Sequence, residues 1–285
     1  MKRFFITRIA HSLLGMLGAM LCWLPCYGQG TQAVQGGGAR AAGLAYAHTA
    51  VEGDAWSGVY NPASLPGGEG LQVGLYLEQR FLLSELSLGQ AVASFPVFED
   101  QAIGVEVASF GFSEYRENFA GLSYGITFLD KISVGAKLAY TTVQIPTYGS
   151  TGALMVQIGS RVQLNPELSL GVSAFNVARA RWEVQGREEN LPTSISAGLA
   201  YQPSQKVLLV ADVHKTELLP ISFRGGIEYH LHRLLCLRVG VITEPLGFHG
   251  GLGLKLQQWT LDLAASYTDL GGYSPHLSLT YRMGQ

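Results

Sequence analysis

His276 and Ser278 stand two residues apart near the C-terminus, and His214, His230 and His249 precede them. A serine within reach of a histidine is the minimum for nucleophilic catalysis: the imidazole takes the hydroxyl proton, and a third group must orient the ring. His230-Leu231-His232 is a candidate metal-binding stretch, and Gly36 to Gly43 has the look of a phosphate-binding loop. A larger set is ionic. Asp212, Arg224, Glu228, Arg238, Lys255, Asp262 and Arg282 follow one another through the C-terminal half, with Lys137 and Arg161 before them. Opposite charges in such a series form either a polar path for a permeating solute or a structural ion-pair network. Which of these chemistries is open depends on the elements that carry the groups.

Those elements are strands. Ile221, Phe223, Gly225, Ile227 and Tyr229 alternate with Ser222, Arg224, Gly226, Glu228 and His230, and four further segments repeat the period-two pattern to the C-terminus. Followed along the chain, the pattern predicts fourteen strands, at about 70–81, 86–97, 101–112, 117–129, 131–143, 151–164, 167–177, 192–202, 205–214, 220–231, 233–243, 247–257, 259–269 and 274–284. The second is the least regular, and its slip near Gly89 suggests a bulge. All the charges named above, and His214, His230, His249 and His276, then share the polar face. An enzyme acting on membrane lipid would need them on the apolar face, where no histidine falls. Catalysis is not expected. His230-Leu231-His232 falls at a strand end or in a turn, and no carboxylate follows it at ligand spacing, so no metal is expected. The glycine stretch lacks the preceding strand and the spacing of a phosphate loop, so no cofactor is expected.

Composition says what the apolar face meets. Hydrophobic residues make up 47% and charged residues 14%, far below the roughly 25% charged content of soluble domains. A net charge of −2 leaves no basic patch for nucleic acid. Lys2, Arg3 and Arg8 precede an apolar run from Ile9 to Pro25, then Cys26-Tyr27-Gly28, which reads as a secretory signal peptide over 1–28. The run is short for an anchor helix, and Leu21 and Pro25 before the two cysteines argue against a lipoprotein signal. The mature chain keeps a single cysteine, Cys236, which cannot form an internal disulfide and reads as a small core filler. No later stretch is long enough for a membrane helix. An exported, charge-poor chain of alternating strands therefore reads as a transmembrane β-barrel over 67–285, apolar side to lipid, in the outer membrane of a Gram-negative bacterium. Tight turns after even-numbered strands (Asp130, Asn165-Pro166, Gln258) and longer connections after odd ones agree with periplasmic termini. Phe95, Phe128, Tyr201, Tyr229 and Tyr281 would form a girdle at one interface. A soluble β-sandwich would alternate too, but its solvent face would carry more Lys and Glu.

Residues 29–66 precede the first strand and read as a plug folded into the lumen. Asp54 is placed to cap a short helix through Trp56 and Val59 that stops before Pro62. Trp56 is expected to wedge the plug against the wall, and Asn61, Pro62 and Ala63 to shape its turn. Gly38-Ala39-Arg40-Ala41-Ala42-Gly43, Asp54-Ala55-Trp56-Ser57 and Asn61-Pro62-Ala63-Ser64-Leu65 resemble the N-terminal signature of the PorV/PorQ family, part of the wider FadL-like outer-membrane barrels. The resemblance implies fourteen strands and two possible roles. One is a non-enzymatic accessory subunit of a type IX-like protein export complex, with outer-membrane or periplasmic proteins and membrane lipid as partners; short outer loops favour it. The alternative is a FadL-like channel for small hydrophobic molecules. A lipid-modifying enzyme built on His276 is the third reading. A bilayer-restricted label should react at Phe223 and Leu261 and spare Arg224 and Asp262; the reverse pattern would refute the barrel.

Overall fold

A β-strand in hydrocarbon leaves two rows of backbone N–H and C=O groups that only another strand can satisfy, so a spanning sheet must close on itself. The computed structural model shows that closure. It describes residues 36–146, 148–184, 187–269 and 271–283; the expected signal peptide and its cleavage site lie outside them. The strands are β1 (Gln72–Gln79), β2 (Ser87–Phe98), β3 (Gln101–Phe112), β4 (Tyr115–Phe128), β5 (Ile132–Ile145), β6 (Gly149–Asn165), β7 (Leu168–Phe175), β8 (Arg181–Val184), β9 (Arg187–Asn190), β10 (Ser194–Ser204), β11 (Val207–Thr216), β12 (Ile221–His232), β13 (Leu235–Thr243), β14 (Leu246–Leu256), β15 (Trp259–Thr268) and β16 (Gly272–Arg282). Fourteen of them form one closed antiparallel barrel, each paired with its neighbours, and β1 meets β16 at the seam. β8 and β9 pair only with each other.

The faces fall as the alternation requires. Phe223, Ile227 and Tyr229 of β12 point outward, while Ser222 and Glu228 are buried inside. Leu75, Leu122, Val239, Leu252 and Leu263 continue the outer apolar surface. Trp259 packs on Tyr281 at one rim, and Tyr267 on Tyr273 at the other, with ring centroids 4.7 and 4.9 Å apart. Aromatic pairs at both ends of an apolar band suit the two membrane interfaces. No described helix is long and apolar enough to cross a membrane.

Two expectations need correction and one a qualification. Pairing runs unbroken through Gly89, opposite Leu77 and Ser109; the register of β2 shifts instead between Pro96 and Phe98, beside a residue with no N–H to donate. The connections after odd strands are mostly the longer ones, as expected, but residues 113–114 and 244–245 are exceptions, as tight as any turn on the opposite rim. The first strand ends at Gln79 rather than 81. Two 3₁₀ turns, Arg80–Leu82 and Ser84–Leu86, follow it, and Phe81 and Leu82 adopt φ of 55° and 59°.

Val239, 59% exposed at the middle of β13, tests the lipid contact. Val239→Arg should lower stability in bilayers by about 2 to 4 kcal/mol, measured by denaturant unfolding from liposomes.

Candidate functional site

The site is the lumen, and residues 36–71 fill much of it. A short helix, Ala39–Gly43, lies against β14, β15 and β16. The Ala39 amide donates to Ser278 Oγ on β16 (3.1 Å). The chain then reverses through Ala45 and Tyr46, both at positive φ, and passes His48 and Thr49 to a second short helix, Ser57–Tyr60. Asp54 does not cap that helix as a formal N-cap. Its Oδ1 accepts from the Trp56 amide and Ser57 Oγ, both at 3.0 Å, tying the preceding turn instead. Asn61 closes the plug's last bend: Oδ1 accepts from the Ala63 amide, and Nδ2 donates to the carbonyls of Thr49 (2.9 Å) and Ser160 (3.1 Å). One amide side chain thus joins two turns of the plug to β6. Pro62 opens the 3₁₀ turn Pro62–Ser64. Trp56, 2% exposed, stands edge-on to Tyr76 at a centroid distance of 5.8 Å, and its Nε1–H donates to Thr280 Oγ1.

The wall makes room with glycine. A Cβ on Gly74 of β1 would come within 2.8 Å of the Trp56 ring, and one on Gly240 of β13 within 2.6 Å of the Ala45 amide nitrogen. Gly135 and Gly159 meet Pro62 and Asn61 in the same way. The plug backbone lies against bare strand backbone, the close approach that glycine permits.

Charge then fastens the plug. Arg40 donates Nε and Nη2 to the two oxygens of Glu228 (both 2.8 Å) and Nη1 to Asp54 (2.8 Å). Glu228 also accepts from Arg238 Nε, whose Nη1 reaches Asp262, both at 2.6 Å. Burial alone would push the Asp54 carboxyl up; His48 and Arg40 outweigh it and hold the group well below the usual carboxylate range. Asp212 Oδ2 accepts from the amides of His48 and Thr49 and from Thr49 Oγ1 (3.1, 3.0 and 2.6 Å). Lys137 bridges Glu106 (2.7 Å) and the Val59 carbonyl, and Arg161 bridges Glu52 (2.7 Å) and the Ala50 carbonyl. Of the seven expected lumen charges, Glu228, Arg238 and Asp262 form one network with plug residues Arg40 and Asp54. Asp212 holds the plug backbone, and Arg282 donates to the Gly53 carbonyl (3.1 Å). Arg224 sits cross-strand from Asp212 but leaves its Nε unpaired. Lys255 is exposed at the rim.

His276 is bound to Ser266 Oγ (2.9 Å) and Tyr76 OH (2.8 Å), and Ser278 serves Ala39 instead, so the two residues paired in the sequence reading are not partners. Ser266, His276 and Tyr76 are all more than nine-tenths buried. Both ring nitrogens of His276 are thus engaged by Ser266 and Tyr76, although the residue also borders the apolar recess described below.

Away from the charges the lumen changes character. Leu88, Val92, Phe110, Phe119, Val143 and Met155 of β2 to β6 form a buried apolar cluster between Trp56 of the plug and Trp182 of the β8–β9 hairpin. Asn176 anchors that hairpin by donating to the Leu191 carbonyl (2.8 Å) and accepting from the Ala180 amide (2.9 Å). Behind Leu88 the wall itself is incomplete. The β1–β16 ladder stops at Glu78↔His276, whereas β16 continues along β15 to Gly272. Pro275, the next residue on β16, has no N–H to leave unpaired. An apolar recess of about 810 Å³ opens there, lined by Leu77, Gly89, Gly250, Ala265, Pro275 and Leu277 among others.

No protein-family model matches the sequence, and no curated protein resembles it. Solved structures do. The CymD monoaromatic hydrocarbon channel superposes with a TM-score of 0.68 at 14% identity, covering 88% of this chain and 98% of CymD. A Pseudomonas aeruginosa FadL homologue gives 0.66 at 13% identity (86% and 98% covered). The Pseudomonas putida toluene transporter TodX gives 0.63 at 12% identity (87% and 96%). The chain has the FadL-type fold. This bears out the wider half of the sequence resemblance; the narrower PorV/PorQ half has no counterpart among these three. CymD is named as a channel and TodX as a transporter.

The sequence reading missed Arg40 and Asp54 as ionic partners of the wall. Their signal was their company: they are charges inside an otherwise small and apolar segment, which in a lumen must be paired. Asp212→Ala removes the shared acceptor of three plug donors and should cost about 3 kcal/mol. Limited proteolysis within residues 36–66 should accelerate, while the heat-modifiable barrel band on gels remains.

Proposed function

We propose that this protein is an outer-membrane channel of FadL type that passes small hydrophobic molecules. One observation carries the reading: the buried apolar cluster extends from Trp182 to Leu88 and Tyr76, and there it meets the point where the β1–β16 ladder ends and an apolar recess faces lipid. An aqueous pore for sugars or ions would need a wetted, polar lumen from rim to rim. Here the plug occupies the axis, and the half of the lumen beyond it is lined with phenyl, thioether and branched aliphatic groups. A single-ring solute burying about 150 to 200 Å² of apolar surface against such a lining gains roughly 4 to 5 kcal/mol over water. Leaving sideways would let it reach the bilayer without meeting the charged plug. That the neighbouring CymD and TodX are named as hydrocarbon and toluene channels supports this substrate class.

The route has identifiable movable parts. Phe81 and Leu82 lie in the 3₁₀ turn beside the gap, held by a hydrogen bond from the Phe81 amide to Ser274 Oγ (3.0 Å). Arg80 pairs with Glu78 and lies 5.0 Å over the Phe110 ring. Small displacements of this turn would widen the passage without breaking a strand ladder.

The short outer loops favour a second reading, the accessory subunit of an export complex. Among the comparisons nothing supports it over the channel.

Uptake of radiolabelled toluene by cells lacking the protein should fall several-fold, and restoring the wild-type chain should recover it, with sugar uptake unchanged throughout. Unaltered toluene uptake together with co-purification of export proteins in mild detergent would overturn the channel in favour of the accessory role.

A further inference from the structure

At the rim where the turns are uniformly short, a cavity of about 200 Å³ with several charged residues in its lining opens between β12, β13, β15 and the plug. Glu228, His230 and Cys236 face into it, and one ligand atom from each lies within 4.8 Å of the other two. The sequence alone separates them: His230 looks like a turn histidine, and Cys236 like a small core filler. The barrel brings them together because His230 and Cys236 are directly opposed in the β12–β13 register, with Glu228 two residues before His230 on the same inward face.

The ligand set points to a particular class of ion. Imidazole and thiolate bonds to closed-shell d¹⁰ ions run about 2.0 to 2.3 Å, so a near-linear pair needs sulfur and nitrogen about 4.3 Å apart, within reach of small side-chain rotations here. Thiolate is the ligand of soft ions, and only one is present, with one imidazole to oppose it. Glu228 is already committed to Arg40 and Arg238, and its Oε1 lies 3.3 Å from His230 Nε2; it supplies field and orients the ring, which leaves Nδ1 as the imidazole nitrogen for the ion. Charge favours a single positive charge over two. Arg40 and Arg238 face Glu228, Asp54 and Asp262, and the mouth adds Arg233, Lys255 and Arg282. When a monovalent ion takes the place of the thiol proton, the formal charge of this network does not change. A divalent ion would add a buried positive charge beside two guanidinium groups.

We propose that His230 and Cys236 form a two-coordinate site for a soft monovalent metal ion, Cu(I) or Ag(I), at the mouth of this cavity. Binding is an exchange without redox change: the Cys236 S–H bond breaks, an S–metal bond forms, the ion accepts the imidazole lone pair, and one proton leaves to bulk water. The proposal is independent of the channel reading, since the site lies in the charged part of the lumen.

The test uses the full mature chain folded in detergent, titrated with silver nitrate in chloride-free buffer. The expected result is one silver per chain with release of one proton. Cys236→Ser should abolish binding, and His230→Ala should weaken it at least tenfold. Equal affinity in His230→Ala, one ion shared by two chains, or no binding would each overturn the site. X-ray absorption on the wild-type protein needs no variant: a shell of one sulfur and one nitrogen supports the pair, and a sulfur-only shell refutes it.

Discussion

Hydrocarbon offers the backbone no hydrogen bonds, and most features of this protein follow from that constraint. It forces the fourteen strands into a closed ring and turns the alternating pattern inside out, with Leu, Val, Ile and Phe facing lipid. Charged side chains can then reside only within the ring or at its rims. Enclosed charges need partners, and the wall cannot supply all of them to itself. The plug completes the set: Arg40 answers Glu228, the backbone amides of His48 and Thr49 answer Asp212, and the carbonyls of Ala50, Gly53 and Val59 answer Arg161, Arg282 and Lys137. Plug and wall are thus two halves of one polar interior.

That interior is uneven along the axis. Ion pairs concentrate toward the rim where the chain leaves the barrel, and phenyl and aliphatic groups fill the opposite half beneath the Trp182 hairpin. A hydrophobic solute entering from the apolar side would find no favourable way forward through Glu228, Arg238 and Asp262. The gradient and the interrupted wall at Pro275 together favour a sideways route, and for that reason the FadL-type fold and the channel reading agree at the level of side chains.

Period-two alternation was enough to place the strands to within a few residues, because each lipid-facing residue is constrained individually. The same logic put Glu228, Arg238 and Asp262 on one inward face with the other lumen charges, without saying which would pair. It failed where structure depends on contacts across the lumen. Alternation gives no reason for Gly135 and Gly159, whose missing side chains admit Pro62 and Asn61. Lys255 satisfies the alternation but lies so near the end of β14 that the lumen has already opened to water. The β8–β9 hairpin shows no period-two pattern, because its charged residues mask a short pairing whose one inward side chain is Trp182. Gly89 breaks the hydrophobic pattern without breaking the ladder, since a bulge is a property of pairing, not of composition.

β1 follows the plug directly in the chain, and its partner β16 lies at the far C-terminal end, so the seam between them joins the first and last strands synthesised. Without Gly272–Arg282 paired to β1, the sheet would be an open trough around the N-terminal segment. With the seam closed, residues 36–71 are encircled by strands whose backbone they touch. The ring and the segment inside it are therefore most simply completed together, the terminal strand shutting the wall around a seated inner segment. A chain truncated before β16 would leave its innermost ion pairs facing the membrane interior, a species that quality control could recognise by that exposure alone.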